Sequence, residues 1–405
     1  MTRCDESIGL DAIILAIYLA VAPMHQTLVL SNGSTVVKYL ALLVMVACLV
    51  RGYIANRSFI VIWDLIWPIA LMFGWFVVTL LWTDSRSASI SSLISTGSYC
   101  TMMLIVGSRR WNDREKRLLS LVLAFSCILY STELIRSAAT SRRATLLYKT
   151  EDADPNTVAC NIGFGALTAL NLFLCNKNGS GIKWPALACM FVILAGIIST
   201  GSRGGLISFL VGAVYLILAQ AKMSAQVRNT IIIVAGLVLI FYWLIIDLNI
   251  LQNETIVSRY RDAEISSIDG RIEIWEQYLD LLVHRPMGFL CGYGYGCDTV
   301  AHAAYMGRNW LRVSHNDLIS ILCQAGIPGV LLTCSFIRHI WRRSRQDHNY
   351  LGCACILLAI VSSMGINFFK TYGWWNAMIL AYIGIDNGRA GQSSSLPSRS
   401  TSGSL

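Results

Sequence analysis

The stretch "NWLRVSHNDLISILCQAGIPGVLL" sets a histidine, His315, between a polar loop and an apolar run that begins at Leu318. The chain has only six His, and Arg308 and Arg312 closely precede this one. A neutral imidazole is the natural proton acceptor near pH 7. Asn316 or Asp317 can cap the helix that follows, so His315 is not needed for that task. The plainer reading makes His315 an interfacial polar residue.

A second group is "STGSRGGLISFL", residues 199–210. Arg203 stands there among Gly201, Ser202, Gly204 and Gly205, small residues that allow close approach to the backbone. The unpaired N–H groups and positive dipole end of the following helix favour anions. An arginine at such an end suits phosphate; the alternative is a side chain that snorkels to lipid headgroups. A third group is "DGRIEIW", residues 269–275, where Arg271 opens an amphipathic stretch; the plainer reading makes it a solvated helix-end residue. A fourth group is "DADPNTVA", residues 152–159. Asp154-Pro155-Asn156 reads first as a turn and N-cap, while Asp154 is also a carboxylate able to orient a sugar hydroxyl. Asp154, Asn156 and Asn316 are the candidate sugar or acceptor contacts. "GYGYG" at 292–296 has neither the preceding strand nor the helix start of a nucleotide-binding loop.

The elements that must position these residues are membrane helices. Of 405 residues, 55% are hydrophobic and only 14% charged, where soluble domains carry about a quarter charged. About twelve apolar runs approach the roughly 20 residues that a span needs: 9–29, 35–52, 59–82, 91–107, 118–137, 157–174, 184–200, 205–221, 229–248, 316–337, 350–369 and 372–386. The first run lacks the basic flank and cleavage site of a signal peptide. The net charge of +9 falls between apolar runs, so it reports topology rather than nucleic-acid binding. Basic connections at 51–57, 109–117, 176–183, 221–228 and 338–345 alternate with connections poor in positive charge, which places the basic ones and both termini in the cytoplasm.

Residues 135–157 and 249–315 then lie outside. In the latter, "RIEIWEQYLDLLVHRP" puts Ile272, Trp275, Tyr278, Leu279 and Leu282 on one helical face. Asp269-Gly270 signals a turn before it, and Pro286 a stop. Most of the thirteen cysteines sit in apolar runs and read as small hydrophobes. Cys291 and Cys297 are able to pair if their loop is extracytoplasmic. Residues 1–388 form one polytopic domain, followed by a Ser/Gly-rich cytoplasmic tail, 389–405, with the composition of disorder.

On this topology Arg203, Arg271 and His315 share the outer face. Two cations and a base suggest phosphate recognition with hydroxyl activation. An outward site has no access to cytoplasmic nucleotide-sugars, so its donor must arrive activated, as a lipid-linked pyrophosphate sugar does.

"STGSRGGLISFLVG", "GRIEIWEQYLDLLVHRPMGFLCGYGYG" and "SHNDLISILCQAGIPGVLL", with "DPNTVACNIGFGAL" upstream, resemble the ordered signature blocks of the bacterial O-antigen ligase and polymerase superfamily over about 154–335. The resemblance implies an all-α polytopic fold of GT-C type with a large extracytoplasmic loop. It implies a cofactor-free, metal-independent, inverting glycosyltransferase in the bacterial inner membrane. The donor would be glycan on undecaprenyl pyrophosphate and the acceptor a glycan or lipid hydroxyl, with membrane lipids and other polysaccharide assembly proteins as partners and no nucleic acid. Arg203 and Arg271 would hold the donor pyrophosphate, and His315 would act as base or position the acceptor. Gln324 departs from the acidic residue common in relatives. Ligase, polymerase and protein glycosyltransferase share these blocks; a flippase for the same lipid-linked glycan is the alternative from another class.

Overall fold

The computed structural model describes residues 7–25, 28–30, 34–54, 62–138, 147–148, 151–152, 154–176, 180–220, 265–308 and 311–384. Among them the chain is helical, apart from a two-residue antiparallel pair, Leu147–Tyr148 with Glu151–Asp152, and an isolated bridge between Val29 and Thr35. The helices are α1 (Leu10–Val21), α2 (Val36–Ile54), α3 (Trp63–Val78), α4 (Arg86–Gly107), α5 (Asp113–Ala138), α6 (Pro155–Cys175), α7 (Lys183–Ser199), α8 (Arg203–Gln220), α9 (Ile265–His284), α10 (Pro286–Cys291), α11 (Asp298–Tyr305), α12 (Asp317–Gln346), α13 (Tyr350–Ser363) and α14 (Tyr372–Ile383).

Seven of these helices, α2 to α6, α8 and α12, are long and apolar enough to cross a membrane, and three shorter apolar helices accompany them. That is fewer than the twelve spans expected. The run at 229–248, the start of the 249–315 segment and the 389–405 tail lie outside the described residues. Leu42, Leu71, Ile94, Phe125 and Val214 are each more than half exposed on the outside of the bundle. Such a surface suits hydrocarbon rather than water.

The centre is α6. Every residue from Thr157 to Phe173 is buried, packed among α5, α7, α8 and α13. Small residues bring backbones together, as in other membrane bundles. A Cβ on Gly165 would lie 2.4 Å from the Cys127 side chain of α5.

At one end of the bundle lie the basic residues Arg51, Arg109 and Arg343. Asp11 and Glu115, with side chains 0% and 1% exposed, accept Arg51 and Arg109 from two different connections. Arg51 reaches Asp11 at 2.7 Å and Arg109 reaches Glu115 at 2.6 Å. Nearby, Asp64 in the first turn of α3 binds the Arg343 Nη1 at 2.5 Å.

The opposite end contains a broken helix. Inside α12, Gly326 takes φ 66° and ψ −169°, and Pro328 follows. Proline has no N–H to return to the carbonyl four residues earlier, which here belongs to Gln324. The amide of Gly294 donates to that carbonyl instead at 3.0 Å, and Tyr293 N–H donates to Cys323 O at 2.8 Å. The Trp75 indole donates to Ala325 O at 2.7 Å. The 292–296 glycines, all at positive φ, admit this pairing: a Cβ on Gly292 would meet Gln324 O at 2.3 Å. The Cys323, Gln324 and Ala325 carbonyls at the break are thus bonded from outside the helix, as buried irregular backbone in a membrane protein requires. Gln324 uses both ends of its amide, accepting from Gly296 N–H at 3.0 Å and donating to Ser320 Oγ at 2.7 Å. An ionised carboxylate has no donor for the second bond.

Two expectations about α9 need correction. It runs through Asp269-Gly270 without a turn, because a helix tolerates one interior glycine. Its buried face is Ile274, Tyr278, Leu281 and Leu282, while Ile272 and Leu279 are 41% and 46% exposed. That face is chosen by Tyr293, Ala301 and Cys323, against which it packs. The helix does end before Pro286, which opens α10. Cys291 and Cys297 are both free thiols; Cys297 Sγ donates to Ser85 O at 3.3 Å.

Candidate functional site

The N-terminal ends of α6, α8 and α12 all lie at the end away from the buried arginine cluster, and each carries one sequence motif. At α6, Asp154 is the N-cap: its carboxylate accepts from Thr157 N–H at 3.0 Å and Thr157 Oγ1 at 2.7 Å. Asn156 Nδ2 donates to the same carboxylate at 3.2 Å. At α8, the chain turns at Gly201 with φ 65°, and Ser202 Oγ accepts from Gly205 N–H at 3.1 Å. Ser202 Oγ also donates to Asn156 Oδ1 at 3.0 Å. The Asp154–Asn156–Ser202 knot therefore ties α6 to α8 and fixes the start of α8, where Arg203 sits half-buried. Gly205 keeps the helices close; a Cβ there would stand 2.5 Å from Ala159 Cβ. The turn-and-cap reading accounts for the local bonds of Asp154, whereas the Asn156–Ser202 bond is a tie between helices.

At α12, Asn316 is the N-cap, accepting from Leu318 N–H at 3.0 Å and Ile319 N–H at 3.3 Å. Its amide oxygen is thereby committed to the helix start. His315 is left outside, exposed, with φ 51°. Positive φ is uncommon for a non-glycine residue and persists where surrounding bonds over-determine it. Those bonds come from two sides. From α9, the Trp275 indole donates to Ser314 O at 2.9 Å and Tyr278 OH donates to Arg312 O at 2.7 Å. From the connection between α13 and α14, Phe368 and Phe369 N–H groups donate to the Asp317 carboxylate at 2.9 and 2.6 Å. Ser314 Oγ donates to Asn367 Oδ1 in the same connection at 3.3 Å.

Arg271, Trp275 and Tyr278 follow one another at i, i+4 and i+7 on α9, so the helix that clamps the His315 loop also carries the cation. Arg271 reaches the α13–α14 connection: a Cβ on Gly365 would lie 3.5 Å from its Nη1. Partial burial, then Arg271 and Arg312, lower the His315 pKa, while Asp154 opposes the shift. The ring is therefore a neutral proton acceptor at pH 7. His315, Arg271, Arg312 and Asp154 share one electrostatic neighbourhood, and Arg203 stands beside the knot that fixes Asp154. An apolar cavity of ≈ 220 Å³, lined by Asp317, Ile321, Thr333, Ile360, Met364 and Phe369 among others, opens between α12 and α13 next to this group. Among the described residues, no three His, Cys, Asp or Glu side chains converge as a metal site would require.

The sequence motifs thus supply His315, Arg271 and Arg203. They miss Asp317 as an anchor and miss the 364–371 connection altogether. "MGINFFKT" has no distinctive composition, and its part in the site is made by one side chain, Asn367, and by the backbone N–H groups of Phe368 and Phe369, which no residue type announces. The chain matches a family described as O-antigen ligase over residues 188–334. Arg203, Arg271 and His315 fall inside that match, whereas Asp154, Asn156 and the 364–371 connection fall outside it. No curated protein matches the chain.

Proposed function

From a chain whose residues 188–334 match a family described as O-antigen ligase, and whose apolar helices make it a membrane protein, we propose a lipid-linked glycan transferase of the outer face of the bacterial inner membrane. The donor is glycan on undecaprenyl pyrophosphate, and the acceptor is a hydroxyl of another glycan or of a lipid. The observation that carries this reading is His315, held at positive φ at the mouth of α12, with partial burial and then Arg271 beside it lowering its pKa.

In the proposed step the acceptor oxygen attacks the anomeric carbon from the face opposite the pyrophosphate. The new C–O bond forms as the bond to the pyrophosphate oxygen breaks, inverting the centre. The bonding pair leaves on the pyrophosphate, where Arg203 and Arg271 offset the charge with planar guanidinium donors. The acceptor proton passes to the His315 imidazole. The cavity beside Asp317 gives the donor's hydrocarbon an apolar neighbour. Asp154, Asn156 and Asn316 hold the helix starts that frame these groups.

A flippase for the same glycan is the competing reading, and broken helices are common in transporters. Here the break in α12 is bonded shut by Tyr293 and Gly294, which favours a fixed scaffold. The deciding experiment is a purified-protein assay with lipid-pyrophosphate glycan and an added acceptor, measuring binding and turnover separately. For His315→Ala we expect turnover to fall by about 10²–10⁴, the usual contribution of a general base, with donor binding retained. Wild-type turnover per folded molecule in this variant would remove His315 from the chemistry. Translocation without transfer in the wild type would replace the enzyme reading with the flippase.

A further inference from the structure

His302 lies on α11, outside the residues that the proposed reaction uses. It is 1% exposed, and neither ring nitrogen has a hydrogen-bond partner among the described residues. The ring is held by its face rather than its edge: it stacks on Tyr278 with centroids 4.3 Å apart and planes 4° from parallel. Tyr278 is itself fully buried, and its hydroxyl donates to Arg312 O at 2.7 Å. Arg312 stands three residues before His315 in the loop that Trp275 also holds. A phenol pressed flat against a buried ring cannot swing about χ1 without breaking the stack. Its oxygen therefore stays on the Arg312 carbonyl.

We propose that His302 is a positioning residue, which acts through Tyr278 to hold the 311–316 backbone, and with it His315, in place for transfer. This rests on the role given to His315 above. Charge is consistent with the packing. Burial, then Arg308 and Arg312, lower the ring's pKa, against Asp298 on its own helix. The imidazole is thus neutral at pH 7 and adds no further positive charge beside the two arginines.

The test compares Tyr278→Phe, His302→Ala, the double variant and His302→Phe in the full-length purified protein. Backbone hydrogen–deuterium exchange of a peptide covering 311–316 reads the loop without reference to catalysis. Turnover per folded molecule, with a lipid-pyrophosphate glycan, reads the consequence. We expect Tyr278→Phe and His302→Ala each to speed exchange of that peptide about fivefold, the factor for one net hydrogen bond, and to lower turnover. Because the two act in series, the double variant should be no worse than Tyr278→Phe alone. His302→Phe keeps an aromatic face and should recover most of what His302→Ala loses. Unchanged exchange in His302→Ala, additive losses in the double variant, or no recovery by His302→Phe would overturn the proposal. Faster exchange with turnover intact would show that transfer does not need the clamped loop and would overturn the positioning role, while the role of His315 itself stays with the His315→Ala assay.

Discussion

Arg203 and Arg271 carry the same charge and are held differently. Arg203 follows Ser202, which Asn156 fixes at 3.0 Å. Arg271 rides on α9, one turn before the Trp275 clamp. On the proposed pyrophosphate-binding role, a planar, preorganised fork matters more than charge in both places, and lysine lacks it. Arg203→Lys and Arg271→Lys should each lower glycan transfer by about tenfold or more while membrane abundance stays near wild type. Wild-type transfer in both variants would end the pyrophosphate assignment. The histidines give a signed pH dependence. His302 and His315 both have lowered pKa values in the fold, whereas the unfolded chain titrates at about 6.5. Below that value the unfolded state binds more protons, so stability falls as pH falls. The melting temperature in detergent should drop between about pH 7 and 5, and the drop should be smaller in His302→Phe. An equal or larger drop in that variant would show that His302 does not contribute to it.

At the level of elements, α12 is the decisive one. Its break is made by Gly326 and Pro328, both visible in "QAGIPG", and closed by "GYGYG" from far along the chain. Gly326→Ala has to place a Cβ 2.4 Å from Leu290 O, at a φ and ψ open only to glycine. We expect a loss of at least about 2 kcal/mol, read as a lower melting temperature with little folded protein recovered. An unchanged melting temperature would mean that the break is not required. The α9 helix illustrates the opposite balance. Its helical period was legible, yet its face turned toward Tyr293, Ala301 and Cys323, because several apolar residues offer more than one stripe and only the neighbours choose among them.

Across the whole molecule, the two ends differ in chemistry. The buried Asp11, Arg51, Arg109 and Glu115 group pins α1, α2 and the start of α5 at the basic end. Removing one carboxylate from this cluster leaves two arginines sharing Asp11 and an uncompensated positive charge. Glu115→Ala should therefore cost about 3 kcal/mol and reduce abundance, with transfer per folded molecule unchanged. Lost transfer at normal abundance would place this cluster in the reaction instead. The orientation of the ends is tested by Ile265→Cys on a cysteine-depleted background. We expect an impermeant thiol reagent to label it from outside the plasma membrane. Labelling only after that membrane is opened would reverse the topology and the proposed site with it.

The sequence by itself determined the helical membrane class, and it offered an alternation of basic connections and the motif residues Arg203, Arg271 and His315 as candidates. Those follow from composition, from period, and from residue types whose chemistry is local to them. Tertiary structure decided the rest. It tied Asn156 of α6 to Ser202 at the start of α8, turned α9 to its buried face, and brought the 364–371 connection to Asp317 through the amides of Phe368 and Phe369. It also set His302 flat against Tyr278. These contacts join residues up to 52 positions apart, often through backbone groups that every residue carries alike. A pattern in the chain cannot specify such a bond; only the packed helices that bring its two ends together can.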